Sequence, residues 1–183
     1  MENPVSTAST VPSGHVAQVS LRIDDLGPAG HVSNVAAVRV IDEARMNFFG
    51  HSKTSRVGYH DGLLTTVADE VQYLVGQHTI EYVTELWYSR APLVVTLWVT
   101  GIGHTTFSIA TTVSVSEGEP PSVLAESAIV LVDRKSRTPW PLSDTLRADL
   151  SRHLGPPIEL RDRRRATTAT RALGDRKNAV PQQ

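Results

Sequence analysis

Hydrophobic and polar positions alternate in the first patterned stretch of the chain, residues 15–23, which predicts a strand with one buried face. A Pro/Gly turn at residues 27–30 ends this strand. Apolar residues then recur every three or four positions, as on one face of an amphipathic helix. They are Ala37, Val38, Ile41, Ala44 and Phe48. Ser33 or Asn34 is the predicted N-cap of this helix, and Gly50 is its predicted C-cap.

A Gly- and His-rich loop at residues 51–62 leads into β-branched runs separated by turn residues. They predict strands at residues 67–74, 77–88, 93–100, 105–115 and 123–132, although residues 63–74 also fit a short helix. Ser143 is the predicted N-cap of a short helix at residues 144–154. The long apolar helix has only a sheet to cover it. The pattern therefore predicts an α+β fold, with a five- to six-stranded antiparallel sheet wrapped around one long central helix.

Length and composition indicate one domain, because the chain has 183 residues of which 40% are hydrophobic. We place the domain at residues 15–155, between a Ser/Thr/Pro-rich, disordered segment at 1–14 and a flexible, arginine-rich tail at 156–183. A net charge of −1 gives no general attraction to nucleic acid or to membranes. The chain has no cysteine, no signal-peptide pattern and no apolar run long enough to span a membrane, so we expect a cytoplasmic protein.

The segment from Asp24 to Arg45 carries the candidate chemistry. Its turn presents backbone N–H groups at the start of a helix, where they can polarise a carbonyl group. The helix carries two adjacent carboxylates further along, Asp42 and Glu43. A carboxylate near a polarised carbonyl can assist the attack of water on it.

This segment resembles the acyl-CoA thioesterases of the hot-dog fold, in the branch related to 4-hydroxybenzoyl-CoA thioesterase. The signature of that family is an Asp-x-Asp-x-x-Gly-His-Val-Asn-Asn turn followed by a helix that ends in Glu-Glu-Ala-Arg. The matching residues are Asp25, Gly30, His31, Val32, Asn34, Glu43, Ala44 and Arg45. Weaker matches at residues 80–82, 90–93 and 101–103 extend the resemblance over residues 16–152. The resemblance implies a hot-dog fold and hydrolysis of acyl-CoA thioesters.

The chain departs from the signature where the family's second Asp would fall, because Gly27 stands there. Glycine has no side chain to attack or to activate water. Ser33 replaces the first Asn, and Ala37 stands where an aromatic residue is usual. Other branches of the fold use a carboxylate about two turns into the helix. The resemblance therefore moves the expected catalytic carboxylate to Glu43, or to its neighbour Asp42.

The remaining expected site residues lie in the turn. His31 is expected to orient water or the thioester carbonyl, and Asp25 is a further catalytic candidate. Gly30, Val32 and Asn34 are expected to contact the substrate, with the amides from Gly30 onward holding the oxyanion. Each residue also has a structural interpretation: Glu43 as an exposed partner of Arg39, His31 and Asp25 as turn-stabilising side chains, and Asn34 as a helix cap.

We expect a small-molecule partner, an acyl-CoA, with coenzyme A as part of the substrate and no other cofactor. Arg134, Lys135 and Arg137 form a basic loop that could meet the phosphates of coenzyme A, or could be an ordinary solvated loop. The histidines lack ligand spacing, so we expect no metal site. We also expect a homodimer with a continuous sheet, or a homotetramer. The alternative functions are a non-catalytic acyl-thioester-binding protein and a hydratase or dehydratase of the same fold.

Overall fold

The computed structural model describes residues 14–161, which form five strands and two α-helices. The strands are β1 (His15–Val19), β2 (Val71–Tyr82), β3 (Leu93–Ile102), β4 (Thr106–Ser114) and β5 (Val123–Asp133). The helices are α1 (Asn34–Phe49) and α2 (Asp144–Ser151), and a short 3-10 turn covers Ile23–Asp25. The predicted α+β fold, with an antiparallel sheet, one long helix and a short C-terminal helix, is confirmed.

All neighbouring strands are antiparallel, in the order β1-β3-β4-β5-β2. The inner face of the sheet packs on α1. The helix buries Val40, Ile41, Ala44 and Phe49 with no exposed surface, which shows that the apolar stripe is the core-facing side. Val38, predicted on that stripe, lies at its margin and is partly exposed.

The helix ends follow their capping residues. The side chain of Ser33 accepts a hydrogen bond from the Ala36 amide at 3.1 Å, so Ser33 is the N-cap. Gly50 ends the helix with φ +76°, a conformation that favours glycine, and its amide donates to the Met46 carbonyl.

The largest differences from the predicted boundaries are in β1, β2 and α2. The strand β1 stops at Val19, because a 3-10 turn begins at Ile23 and pulls Asp25 inward. In place of the predicted strands at 67–74 and 77–88 there is one strand, β2, whose register shifts between Val75 and Gln77 without breaking its pairing to β5. Residues 67–70 form turns and residues 83–88 lie beyond its end. The helix α2 ends at Ser151 rather than at residue 154.

The chain continues to pack beyond residue 155, where the sequence placed the start of the tail. Ile158 and Leu160 are buried against the outer face of the sheet beside Trp98. The indole of Trp98 donates a hydrogen bond of 2.7 Å to the Pro156 carbonyl. The predicted disordered segment lies outside the described residues apart from Gly14, and so does the tail after Arg161. No helix within residues 14–161 is long and apolar enough to cross a membrane.

Candidate active site

The turn before α1 is a tight, hydrogen-bonded loop. The Gly27 amide donates to the His31 carbonyl at 2.8 Å, and the Gly30 amide donates to the Gly27 carbonyl at 3.0 Å. Gly30 has φ +84°, so a residue with a side chain would be strained there. The Gly30 amide, a predicted oxyanion donor, is thus already hydrogen-bonded within the turn.

The first turn of α1 contains amides that have no acceptor within the helix. The Ala36 amide is bonded to the Ser33 side chain, and the Ala37 amide donates to the Ser33 carbonyl. The amides of Asn34 and Val35 precede these, where a helix offers no internal acceptor. Both amides sit at the positive end of the helix dipole, so they can stabilise a negative oxygen.

A cleft of about 310 Å³ opens beside this helix start. His31, Val32, Asn34 and Ala37 line one side of it. The other side is formed by the end of β2 and the segment after it, residues 82–86, together with Val123. The cleft therefore brings two of the predicted substrate contacts, Val32 and Asn34, against the end of β2, whereas Gly30 does not line it.

Two aromatic residues that the sequence analysis did not assign to the site frame this cleft. The hydroxyl of Tyr82 donates to the Asn34 carbonyl at 3.3 Å. The ring of Trp87 stands edge-on to His31, with ring centroids 6.1 Å apart, and its surface is 55% exposed. The sequence signal for Trp87 was its place near the end of a predicted strand, because Trp and Tyr are common at binding surfaces.

Asp25 is a structural anchor of the turn in this structure. Its carboxylate accepts hydrogen bonds from the Arg22 amide and from two nitrogens of Arg39, while its carbonyl accepts from the Ser33 amide. Burial opposes ionisation, but the hydrogen bonds from Arg39 and Arg22 outweigh it, so the pKa of Asp25 is lowered. With its oxygens so occupied, Asp25 is poorly suited to take a proton from water.

The two helix carboxylates point in different directions. Glu43 pairs with Arg39 at 2.6 Å and its side chain is 49% exposed, on the side of α1 near Asp25. Asp42 pairs with Arg45 at 2.6 Å and its side chain is 55% exposed. At 3.6 residues per turn, Asp42 projects about 80° from Asn34, whereas Glu43 projects about 180° from it.

Asp42 lies on the side of α1 that faces β2. Its charge and that of Arg45 both act on His78, a residue of β2. The pKa of His78 is lowered, first by burial and then by the positive charge of Arg45. Arg45 is itself buried, 1% exposed, so the ion pair holds Asp42 at a fixed place on the helix. Within one chain neither carboxylate lines the cleft, and Asp42 projects closer to the direction of Asn34 than Glu43 does.

The basic loop lies at the opposite end of the sheet from the cleft. The strand β5 runs from Val123, which lines the cleft, to Asp133, which is followed by Arg134, Lys135 and Arg137. Ten residues of strand span about 33 Å. Within one chain the structure does not bring this loop to the helix start. Among the described residues, no cluster of three His, Asp or Glu side chains could hold a metal ion.

Comparison with known proteins relates this site to a family. A sequence profile of the thioesterase-like superfamily matches residues 21–150, which include the turn, α1 and the whole sheet except β1. A search of curated proteins finds no match.

Solved structures show the same fold at low identity. A predicted thioesterase from Bacillus stearothermophilus has a TM-score of 0.62 and 16% identity, covering 80% of this chain and 100% of its own. A thioesterase from Thermus thermophilus, complexed with coenzyme A and Zn, has a TM-score of 0.57 and 20% identity, covering 76% and 98%. A 1,4-dihydroxy-2-naphthoyl-CoA thioesterase from Synechocystis has a TM-score of 0.56 and 16% identity, covering 76% and 95%. Because the sequence profile matches most of its folded length, this chain belongs to the thioesterase-like superfamily.

Proposed function

We propose that the protein hydrolyses an acyl-CoA, or a related acyl thioester, to a free acid and a thiol. The observation that carries the proposal is the cleft of about 310 Å³ at the start of α1, which Asn34 lines. The amides of Asn34 and of the next residue, Val35, have no acceptor within the helix. A thioester carbonyl placed there would receive two donors on its oxygen as negative charge develops. Membership in a thioesterase-like superfamily supports the same reaction class.

In the proposed reaction, a helix carboxylate removes a proton from water while the water oxygen attacks the thioester carbon. The resulting oxyanion is held by the amides of Asn34 and Val35. When the carbonyl reforms, the C–S bond breaks and the thiolate leaves, taking the proton from the carboxylic acid. His31, at the edge of the cleft, orients the water or the carbonyl.

The sequence-based candidate for the carboxylate is Glu43, with Asp42 beside it. Both carboxylates pair with an arginine at 2.6 Å, but Asp42 lies on the side of α1 that faces β2, whereas Glu43 shares Arg39 with Asp25. We therefore propose Asp42 as the base and retain Glu43 as the alternative. Asp25 is proposed to position the turn rather than to act on the substrate.

A second copy of the chain is proposed to complete the site. The strand β2 is an edge strand of the sheet, and two of its apolar residues, Leu74 and Val75, are 40% and 41% exposed. A two-fold axis beside β2 would pair the two copies antiparallel and continue the sheet. That pairing would bring Lys135 and Arg137 of the second copy toward the cleft, where they could meet the phosphates of coenzyme A.

A non-catalytic, acyl-thioester-binding protein is the second candidate function. The observation that favours it is Gly27, which leaves the turn without the carboxylate that the family's signature has at this position. The cleft and its amides would still hold a thioester carbonyl.

The two candidates are separated by incubating the purified protein with acyl-CoAs of increasing chain length and detecting the released thiol. Release above the rate of the uncatalysed reaction supports hydrolysis. Saturable binding of acyl-CoA without thiol release supports the binding protein instead. Hydration of an enoyl-CoA without thiol release would support neither and would indicate a hydratase.

A further inference from the structure

A second cavity, of about 370 Å³, lies at the other end of α1. It opens between Phe49, the loop at residues 50–69 and the first residues of β2. The helix spans sixteen residues, so this cavity lies about 20 Å from the cleft in the same chain. Its volume is at the small end of the ~300–1,000 Å³ typical of small-molecule sites.

The wall of this cavity is an ordered loop rather than a loose one. The amides of Leu63 and Leu64 donate to the carbonyls of Phe48 and Phe49, which fold the loop back onto the end of the helix. At the crossing point a Cβ atom on Gly62 would come within 2.4 Å of the Gly50 nitrogen, so the two segments touch backbone to backbone. A loop of about twenty residues that is packed in this way is commonly functional.

The floor and the rim of the cavity differ in chemistry. The floor is apolar and is formed by Phe49, Leu64, Val67, Val71 and Tyr73. The rim is polar and includes the hydroxyls of Ser52, Thr54 and Ser55 together with His51, Asp69 and Arg134. This arrangement suits a molecule with an apolar body and a polar head.

The rim carries one negative and one positive charge that are close but not paired. Hydrogen bonds from Thr54 and Ser52, and the nearby charge of Arg134, lower the pKa of Asp69, so its carboxylate is ionised at neutral pH. Among the described residues, neither Asp69 nor Arg134 forms an ion pair. A dipolar head group could therefore bind both charges.

The remaining hydrogen-bonding capacity of both side chains fits such a head group. Thr54 donates to Oδ1 of Asp69 at 2.5 Å, and because the carboxylate is exposed it retains lone pairs that can accept from a cation. The Nε of Arg134 donates to the Ala68 carbonyl at 3.1 Å, which fixes the guanidinium. Its two NH₂ groups remain able to donate hydrogen bonds to a carboxylate.

We infer that this cavity binds a free α-amino acid with an aromatic or aliphatic side chain, with its carboxylate on Arg134, its ammonium group on Asp69 and its side chain on the apolar floor. The inference does not depend on the thioesterase activity proposed for the other end of the helix. It assigns the protein a second small-molecule site, with an occupant other than the thioester.

The test is isothermal titration of the full-length protein with L-phenylalanine and L-leucine. N-acetyl-L-phenylalanine, which lacks the ammonium group, and L-phenylalanine amide, which lacks the carboxylate, serve as ligand controls. We expect saturable, one-site binding of the two amino acids, and affinity at least about tenfold weaker for each control compound, because each loses one charged contact.

Variants of the rim locate the binding. Asp69→Asn keeps an acceptor for Thr54 but loses the negative charge, and Arg134→Gln removes the guanidinium. Each variant is expected to bind the amino acid at least about tenfold more weakly. Glu70→Gln and Arg137→Gln are the matched controls, since Glu70 and Arg137 are also exposed and do not line the cavity. Their affinity should equal that of the unmodified protein, and all four variants should keep its thermal midpoint.

Three results would overturn the inference. One is the absence of amino acid binding at millimolar concentration. Another is binding that Asp69→Asn and Arg134→Gln do not change. The third combines two observations: an acyl-CoA displaces the amino acid, and Arg134→Gln raises the KM for that acyl-CoA. Together they would assign the cavity to the thioester site. Loss of thioesterase activity alone would leave the inference intact.

Discussion

Arg39 and Asp25 form a two-pronged ion pair that ties the second turn of α1 to the loop in front of it. The Nε and Nη2 atoms of Arg39 lie 3.0 and 2.6 Å from the two carboxylate oxygens of Asp25. The side chain of Asp25 is 8% exposed and that of Arg39 is 24% exposed, so the pair is only partly screened by solvent. The same guanidinium also holds Glu43. One arginine thus fixes the turn that shapes the cleft.

Replacing Asp25 by Asn should destabilise the protein by about 2 kcal/mol, because the charge-assisted bonds to Arg39 are lost while the site stays mostly buried. Urea unfolding measures the change. Asp24→Asn, at the neighbouring exposed position, is the control and should change the unfolding free energy by less than about 0.5 kcal/mol. Equal losses in the two variants would contradict a structural role for Asp25.

Stability should fall as the pH drops from about 7.5 to about 5. The pKa of His15 is lowered by burial and then by the charges of His153 and His60, and that of His78 is lowered by burial and then by Arg45. A histidine with a folded-state pKa below its unfolded value contributes stability above the unfolded pKa, and this contribution is lost as the pH falls.

Urea unfolding at the two pH values checks this, with a His78→Leu variant that cannot titrate at this position. The variant should lose less unfolding free energy between the two pH values than the unmodified protein does. His104→Leu, at an exposed position, is the control and should keep the full pH dependence. A variant and a control with the same pH dependence would argue against burial of His78 as the cause.

Introducing an acid at Gly27 should raise the rate of thioester hydrolysis. A Cβ atom at this position would meet only the His31 carbonyl at 3.6 Å and the His31 ring at 3.8 Å, so the turn has room for the side chain. The resemblance to the hot-dog thioesterases places a carboxylate at this position. Thiol release by Gly27→Asp should exceed that of Gly27→Asn, its uncharged control; equal rates would indicate that the turn does not face the substrate.

A charge on the outer edge of β2 should separate the proposed dimer. Val75→Glu places an unpaired carboxylate at the edge where two copies are proposed to meet. Sedimentation velocity should show dimers for the unmodified protein and monomers for this variant. Val57→Glu, at a loop position 71% exposed, is the control and should remain dimeric. A monomeric unmodified protein would contradict the continuous sheet.

The fold was predictable because local signals agreed with one another. Ser33 and Gly50 marked both ends of α1, and the helical spacing of Ile41 and Ala44 gave its buried face. The strand β2 was divided in the prediction because Gly76 interrupts its pattern, whereas the structure absorbs Gly76 into a register shift. Such shifts depend on the partner strand, which a local pattern does not contain.

The candidate site was predictable in the turn and less so elsewhere. His31, Val32 and Asn34 line the cleft as a contiguous motif would suggest. The sequence does not show that Glu43 pairs with Arg39 and Asp42 with Arg45, because these pairings depend on how the side chains are placed in the folded structure. Arg134 lies near the start of β2 because strands β2 and β5 pair over their whole length, a contact between residues far apart in sequence.

The proposed hydrolysis takes place at the start of α1 with help from a helix carboxylate. The most direct test is the kcat for thiol release from an acyl-CoA, measured for the unmodified protein, Asp42→Asn and Glu43→Gln. We predict that Asp42→Asn lowers kcat by about 100-fold or more and that Glu43→Gln lowers it far less. Undiminished kcat in both variants would contradict the account, because no helix carboxylate would then take part in the reaction.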